Sequence, residues 1–321
     1  MSKYSDPLLD SIFERLQDED PGIRRVAVMD LVDSPEAEAV ELLIQALSDS
    51  NELVRLEAAK VIDEFEPLDM MDALVDALTA ADENVRNAAA NALADLKDAA
   101  VAPALIEALK KDDAFVLTAV LRALKQLRIK DARPHAITLL QHANAGVRRE
   151  AVGVLGYLQD VENLPQLMSV AANDEDPEVR RASVGTLIFA PADMVADSLM
   201  SAITDENWLV RVESIKGIGK LKIQQALPLL INAIDDERWQ VKEKSAETIG
   251  MLGLVEGIPA LKDCISDPIS NLRKAAVAAI GEISHPDGLP LLELALDDND
   301  PDVRKLARWA SERIAQATAE A

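Results

Sequence analysis

One short pattern recurs along the whole chain at an almost constant interval, and it constrains the fold more than any other feature. In one copy, Asp176 and Pro177 precede an apolar residue, Val179, which Arg180 follows directly. We call this apolar residue the anchor, and it recurs at steps of 31 residues with a single step of 32. The ten anchors are Ile23, Val54, Val85, Val116, Val147, Val179, Val210, Val241, Leu272 and Val303. A fixed period of this length predicts a repeat array, in which each unit packs against its neighbours.

Each repeat is predicted to contain two helices. Proline stands 13 residues before five anchors and 14 before Val179, and it suits the first turn of a first helix. Six prolines share this register: Pro103, Pro134, Pro165, Pro228, Pro259 and Pro290. Eight repeats carry Asp or Asn three residues before the anchor, where it would cap a second helix, whereas Arg238 and Ile269 break this rule. The one extra residue is assigned to the turn Ala171–Asp176, outside any helix.

The second helix has a readable buried face. A small residue stands four positions after nearly every anchor, which predicts close helix approach. Positions 2, 6, 9, 10 and 13 after the anchor fall on the opposite arc and are predicted to face solvent. Arg follows the anchor in eight repeats, and Asp or Asn recurs in the preceding turn, so we expect an Asp–Arg ladder between repeats. The sequence therefore predicts an all-α solenoid of about ten helical pairs, forming a single domain over residues 1–321.

Composition narrows the classes of partner. The chain of 321 residues has a net charge of −24, which disfavours nucleic acid and anionic membrane surfaces as partners. It contains one cysteine and no long apolar run, so we expect a cytoplasmic protein. Cys264 is predicted to be a small buried residue, and His135, His142 and His285 are predicted to lie at the surface. We therefore expect no catalytic residue, metal site or cofactor, although a lyase-like activity stays open.

The repeated motif D-P-x-V-R-x-x-A, on helical pairs spaced 31 residues apart, resembles the HEAT-like repeats of the phycobilisome-lyase (PBS lyase) type. The resemblance covers essentially the whole chain. It implies a right-handed α-solenoid whose second helices line the concave face. Proteins with this repeat include bilin lyase subunits, phycobilisome-degradation adaptors, assembly factors and scaffolds, so the resemblance implies a fold without selecting one function.

A basic window interrupts this acidic sequence. Residues 110–149 contain nine Lys or Arg and three Asp, a net charge of +6, so the remainder of the chain carries −30. Arg122 and Lys125 fall on the outward arc of repeat four, and Arg149 falls on that of repeat five. The window could be a local fluctuation on solvated faces, or it could attract an acidic partner. The second interpretation predicts that charge reversal at these three positions weakens partner binding without changing the melting temperature.

Glycine and aromatic residues follow the window on the same arc. Glycine six positions after the anchor occurs only in repeats five and six. Together with neighbouring aromatic and basic residues, these glycines could form a notch for a partner, or the aromatic rings could pack into the seam between repeats. The candidate residues are Gly153, Tyr157, Arg181, Gly185, Phe189 and Lys216.

Three tryptophans form a further group. Trp208 and Trp239 each lie two residues before an anchor, in equivalent turns that should stack. They could pack over the turns between repeats or form an exposed aromatic strip. Trp309, on the last second helix, could cap the array or contact a partner.

The leading interpretation is a non-catalytic protein-interaction scaffold or adaptor, which binds a partner, acidic at the contact, on the concave face of repeats four to seven. One alternative is a bilin lyase-like or other tetrapyrrole-handling subunit, whose ligand would occupy the glycine and aromatic notch. Another is an assembly chaperone for a metalloenzyme. The oligomeric state is left open.

Overall fold

The protein is described by a computed structural model that covers Tyr4, residues 6–34 and residues 37–320, and within these residues it has helices and no strand. The first helices of the repeats are α1 (Pro7–Leu16), α3 (Ala37–Leu47), α5 (Pro67–Ala77), α7 (Ala102–Ala108), α9 (Arg133–Leu139), α11 (Leu164–Asn173), α13 (Ala192–Ala202), α15 (Leu227–Ala233), α17 (Lys262–Ile265) and α19 (Leu289–Ala295). The second helices are α2 (Pro21–Met29), α4 (Glu52–Val61), α6 (Glu83–Asp95), α8 (Ala114–Leu127), α10 (Ala145–Leu158), α12 (Pro177–Leu187), α14 (Trp208–Leu221), α16 (Trp239–Leu252), α18 (Ser270–Ile283) and α20 (Pro301–Glu320).

The chain divides into two compact units, each of five helical pairs. Unit 1 comprises residues 1–158 and contains α1–α10, whereas unit 2 comprises residues 159–321 and contains α11–α20. Within each unit, every second helix packs against the first helix of its own repeat, and most pack against the next second helix. The predicted all-α solenoid of helical pairs is therefore confirmed, and the single-domain boundary stays a prediction.

The second helices begin where the cap residues predict. Asp176 Oδ1 accepts hydrogen bonds from the backbone N–H groups of Glu178 at 2.8 Å and Val179 at 3.2 Å. The same bond to the residue two positions on forms at every predicted cap, namely Asp20, Asn51, Asp82, Asp113, Asn144, Asp176, Asn207 and Asp300. Arg238 and Ile269 precede their helices without a side-chain cap, also as predicted. These side chains satisfy backbone donors that a helix start would otherwise leave unpaired.

The small residue four positions after the anchor is the centre of every repeat. It is fully buried in all ten repeats: Ala27, Ala58, Ala89, Val120, Ala151, Ser183, Ser214, Ser245, Ala276 and Ala307. Where it is Ser183, its hydroxyl donates to the carbonyl of Leu167 on the first helix, at 2.6 Å. Eight of the ten anchors are also buried, but Ile23 is 39% exposed and Val85 is half-buried. The core is thus aliphatic and closely packed, as a chain with few aromatic residues requires.

Two predicted boundaries are wrong. Helix α11 continues to Asn173, so the first half of the predicted turn Ala171–Asp176 is helical. Pro259 does not start an α-helix, because it lies inside a 3-10 segment, Val255–Leu261. The α-helical part of that first helix, α17, is only four residues long. The other five prolines of the register lie within the first turn of their helices, as predicted.

The glycines nine positions after the anchor are buried, so the prediction that this position faces solvent is wrong in the repeats that carry glycine there. A Cβ atom on Gly250 would lie 2.6 Å from the Cα atom of Ala279, on the next second helix. A Cβ atom on Gly219 would lie 3.2 Å from the side chain of Thr248, again on the following second helix. Because neighbouring second helices cross at this point, glycine lets their backbones approach closely.

The repeat arginine holds the turn of its own repeat and binds the next one. Arg180 Nη1 donates to the carbonyls of Asp174 and Glu175, and its Nε and Nη2 donate to the carboxylate of Asp205 at 2.8 and 2.9 Å. The contact to the two turn carbonyls recurs at every repeat arginine: Arg24, Arg55, Arg86, Arg148, Arg180, Arg211, Arg273 and Arg304. The predicted Asp–Arg ladder is therefore confirmed.

The acidic partner in the ladder is the residue five positions before the next anchor, and not the helix cap. Its carboxylate also accepts the N–H two residues on, as Asp205 does from Asn207 at 2.8 Å. Across the ten repeats this position holds Asp18, Asp49, Ala80, Lys111, His142, Asp174, Asp205, Asp236, Asp267 and Asp298. The ladder thus has no carboxylate at Ala80, Lys111 and His142, all in unit 1. Arg86 there contacts the ring of Phe115 at 5.7 Å instead.

We predict that replacing a ladder arginine destabilises the protein more than replacing an arginine without a carboxylate partner. Arg180→Ala leaves Asp205 half-buried and unpaired, so we expect a loss of about 3 kcal/mol. Arg55→Ala is the matched control, because Arg55 contacts the equivalent two carbonyls of its own turn but faces Ala80 in the next one. This substitution should lower the free energy of unfolding by about 1 kcal/mol. Thermal unfolding followed by circular dichroism measures both, and equal losses would contradict the ladder.

We also predict an acid-dependent contribution from the last ladder pair. The hydrogen bond from Arg273 lowers the pKa of Asp298 below its ordinary value, so the pair stabilises the fold above about pH 4 and loses this effect as pH falls through the lowered pKa. Asp298→Asn should reduce the melting temperature at pH 7, and its difference from wild type should narrow below about pH 4. The exposed neighbour Asp297→Asn is the control. A difference that stays constant down to pH 3 would refute the prediction.

Candidate partner-binding surface

In each unit, exposed side chains near the ends of the second helices form a row that alternates in character. From repeat four to repeat ten, the residues ten positions after the anchor belong to these rows, and we call these seven residues the outer row. All seven from repeat four onward are exposed: Gln126 and Tyr157 in unit 1, and Phe189, Lys220, Met251, Glu282 and Arg313 in unit 2. Three of them are large and apolar, with Tyr157 45%, Phe189 58% and Met251 53% exposed. Apolar side chains held at the surface beside charged ones are typical of protein interfaces.

Tyr157 in unit 1 lies beside two cations. Lys125 Nζ stands 5.8 Å from the centre of its ring, and the Arg128 guanidinium carbon stands 6.0 Å from it. Arg128 ends helix α8 in the left-handed conformation (φ 53°), which turns its side chain toward the end of α10. The sequence placed Tyr157 and Lys125 on the same face, and the structure brings them together. The sequence analysis did not include Arg128 in the site, although its position at the end of α8 could have indicated it.

Glu150 pairs with two of the basic residues in the window. This residue lies one position beyond the window and is buried. Lys125 Nζ donates to Glu150 Oε2 at 2.8 Å, and Arg122 Nη2 stands 3.8 Å from Glu150 Oε1. Arg149 is exposed and forms no ion pair within the part of the chain that the structure describes. Of the three window residues named from the sequence, only Arg149 therefore keeps an uncompensated charge.

In unit 2 the equivalent cluster is centred on Phe189. Lys220 Nζ lies 4.4 Å from the centre of the Phe189 ring, which is close enough for a strong cation–π contact. Lys216 Nζ stands 3.4 Å from Glu213, and Arg181 donates to Glu178 on its own helix at 2.6 Å. Lys216 and Arg181 are thus paired with acids nearby, whereas Lys220 has no ion pair among the described residues. Lys220 belongs to the site, and sequence reasoning did not include it.

The glycines that were expected to leave a bare notch are covered by side chains. At Gly153, the Cδ atom of Lys125 lies 2.9 Å from where a Cβ would stand. At Gly185, the carboxylate of Glu213 runs alongside, 3.5 Å from the same point. In each unit the glycine therefore accommodates a neighbouring charged side chain, and the expectation of an open notch is wrong at both positions.

The tryptophans occupy helix starts and the end of the array. Trp208 and Trp239 are the first residues of α14 and α16, and both are half-buried. Trp309 packs across Gly281, where a Cβ would lie 2.4 Å from its ring, and Arg313 covers it at 5.5 Å. Trp309 thus covers the neighbouring helix α18, as expected for a capping residue. It remains 37% exposed.

The groups with catalytic potential are few. Cys264 is buried, as predicted, and burial raises the pKa of its thiol to about 11, so it is neutral at physiological pH. His142 is half-buried, contrary to the prediction, because its Nδ1 atom replaces the ladder carboxylate and accepts the N–H of Asn144 at 3.0 Å. Within the described ranges, no group of three or more His, Cys, Asp or Glu side chains could hold a metal ion. No helix described there is long and apolar enough to span a membrane.

The fold and this surface define the class as an all-α repeat solenoid of helical pairs. Sequence comparison with protein families then identifies the repeats as HEAT repeats, which match residues 9–70, 41–125, 71–143, 133–190 and 196–270. A PBS lyase HEAT-like repeat matches residues 272–298. The chain therefore belongs to the HEAT-repeat family, and it is a helical-repeat scaffold of a kind that typically mediates protein interactions. A search among curated proteins finds no match.

Solved structures with similar folds include both longer and shorter proteins. Kap95p in complex with RanGDP matches 96% of this chain at a TM-score of 0.63 and 16% identity, and the match covers 50% of Kap95p. Kap95 in complex with Nup1 matches 97% at a TM-score of 0.60 and 16% identity, covering 51% of that chain. The Escherichia coli protein YibA matches 83% at a TM-score of 0.54 and 17% identity, covering 98% of that chain. The chain thus spans about half the length of Kap95p, and these identities show a shared fold only.

We predict that the residues of the basic window differ in their effect on stability. Lys125→Glu places a second carboxylate against buried Glu150, so we expect a loss of about 2 kcal/mol. Arg149→Glu alters an exposed, unpaired side chain and should change stability by less than about 0.5 kcal/mol. Melting temperatures of the two variants test this. Equal stability would restore the sequence-based expectation that charge reversal in the window leaves the melting temperature unchanged.

Proposed function

We propose that this protein is a non-catalytic scaffold or adaptor, which binds a protein partner through the outer row of its second helices. From the resemblance to PBS lyase repeats, we infer that this surface faces the concave side. The observation that carries the proposal is the series Phe189, Lys220 and Met251, at the ends of three successive second helices of unit 2. Two large apolar side chains stand exposed there, with an unpaired cation held against one ring. Aromatic and cationic side chains at such positions supply much of the affinity of known interfaces.

The same surface indicates the chemistry of the partner. Lys220 in unit 2 and Arg149 in unit 1 lack ion pairs within the described residues, and Lys220 lies against the exposed ring of Phe189. A partner that presents carboxylates around an apolar centre would complement the unit 2 cluster. Nucleic acid and anionic membranes are disfavoured by the net charge of −24. Kap95p, a similar solenoid, has been solved with the proteins RanGDP and Nup1, which supports a protein as the partner.

Two further features favour this function over the alternatives. The tetrapyrrole alternative needs open space beside Gly153 and Gly185, where Lys125 and Glu213 lie. The chaperone alternative has no specific observation in its favour. A single buried cysteine suits the reducing conditions of the cytoplasm, which we propose as the location of the protein.

We predict that Phe189→Asp and Lys220→Glu each reduce partner recovery about tenfold, because they remove the apolar centre and the cation of the unit 2 cluster. Affinity purification from the native cell, followed by quantitative mass spectrometry, identifies the partner and measures its recovery. Leu294→Asp is the matched control, since Leu294 lies in the same unit on first helix α19 and is equally exposed, at 58%. If all three variants recover the same proteins as wild type, the outer row is not the binding surface.

A further inference from the structure

The row of second helices in unit 1 opens between α4 and α6. Helices α2 and α4 pack against each other, as do α6 and α8, and α8 and α10, but α4 and α6 scarcely touch. First helix α3 packs against both of them instead. The gap contains two adjoining clefts of about 780 and 660 Å³. We call it the α4–α6 groove, whose apolar lining comprises Leu47, Leu56, Ala59, Ile62, Ala88 and Ala92.

The sequence explains why this junction is open. Glycine nine positions after the anchor lets some neighbouring second helices pack closely, as at Gly219 and Gly250. In repeat two this residue is Asp63, in the 3-10 segment Ile62–Glu64 that follows α4, and it is the only carboxylate at that position in any repeat that another repeat follows. Closing the junction would bury an unpaired charge, which costs several kcal/mol. The ladder carboxylate that would join this pair of repeats is also missing, because Ala80 stands in its place.

The groove has an apolar floor and an acidic rim. Leu56 is 50% exposed, and Ala59 is exposed beside it, so part of the α4 face has no apolar partner. The lining includes two cations, Arg55 and Lys97. It also includes seven carboxylates, of which Asp49 pairs with Arg24. The other six form no ion pair with any residue that the structure describes: Glu52, Asp63, Glu64, Glu66, Asp95 and Asp98. A segment bound here must therefore be apolar on one side and positively charged on the other.

We propose that the α4–α6 groove binds a short basic segment of a protein partner, which inserts apolar side chains between the two helices and pairs its Lys or Arg with the rim. An amphipathic helix in a groove is a common form of such recognition. A second copy of this chain is a poor occupant, since two chains at −24 repel each other. The inference rests on the proposed scaffold function, but it concerns a separate surface with the opposite charge preference.

The test uses a defined probe. A 14-residue amidated peptide of Lys, Leu and Ala, arranged as an amphipathic helix and labelled with fluorescein, is titrated with the protein by fluorescence anisotropy. Its counterpart carries Glu in place of Lys. We expect saturable binding of the Lys peptide at physiological salt and none of the Glu peptide. The double variant Asp63→Asn/Asp95→Asn should bind the Lys peptide about five- to tenfold more weakly, because it loses two rim charges.

Two controls separate the groove from the general charge of the protein. Asp297→Asn/Glu312→Gln removes the same charge from exposed positions in unit 2 and should leave the dissociation constant within about twofold. Ala59→Trp fills the groove and should abolish binding, whereas Ala315→Trp alters an exposed alanine of α20 and should not. Circular dichroism of each variant confirms that it is folded.

The outcomes are distinct. Equal binding by wild type, the groove variants and the unit 2 controls would show non-specific attraction and overturn the proposal. A wild-type dimer that becomes monomeric with Asp63→Asn/Asp95→Asn, by sedimentation velocity, would make a second copy the occupant and also overturn it. In native-cell purification, Ala59→Trp should lose different proteins from Phe189→Asp. If Phe189→Asp loses proteins and Ala59→Trp loses none, the result supports the scaffold function and refutes the groove.

Discussion

The guanidinium group of the repeat arginine is the interaction on which each unit depends. It donates to two carbonyls of its own turn and, in the ladder repeats, to a carboxylate in the next turn. That carboxylate in turn fixes the start of the next second helix by accepting a backbone N–H. Since both groups are half-buried or buried and fully hydrogen-bonded, each compensates the desolvation of the other. One side chain thus sets the shape of a turn and the register of its neighbour.

Departures from this pattern coincide with the places where the surface becomes distinctive. The ladder loses its carboxylates at Ala80, Lys111 and His142, and this loss contributes to the basic character of residues 110–149. In the same part of the chain, Asp63 takes the place that glycine holds at close-packed junctions. A repeat that no longer needs to pack tightly can expose charge and apolar surface together. Differences between repeats, more than the shared motif, therefore carry information about binding.

The periodic features could be predicted from the sequence, whereas features that depend on side-chain reach could not. The caps, the buried small residue and the ladder follow from spacing, because helical geometry repeats whenever the sequence repeats. Lys125 lies over Gly153 and against Glu150 because its long side chain crosses to the next helix. The charge count ended at Arg149 and therefore left out Glu150, the partner of Lys125. The prediction that the residue nine positions after the anchor faces solvent was wrong at the glycines for a related reason. Helical angle alone does not say where the next repeat packs.

The two proposed surfaces differ in how the charge of the whole protein acts on them. A field from −24 charges attracts a basic segment over about the Debye length and raises its rate of encounter with the α4–α6 groove. The same field opposes an acidic partner, which can bind the outer row only where Lys220 locally reverses it. Added salt should therefore weaken binding at the groove. At the outer row, salt should strengthen binding or leave it unchanged. A scaffold with both surfaces can hold two partners of opposite charge, because each surface disfavours the occupant of the other.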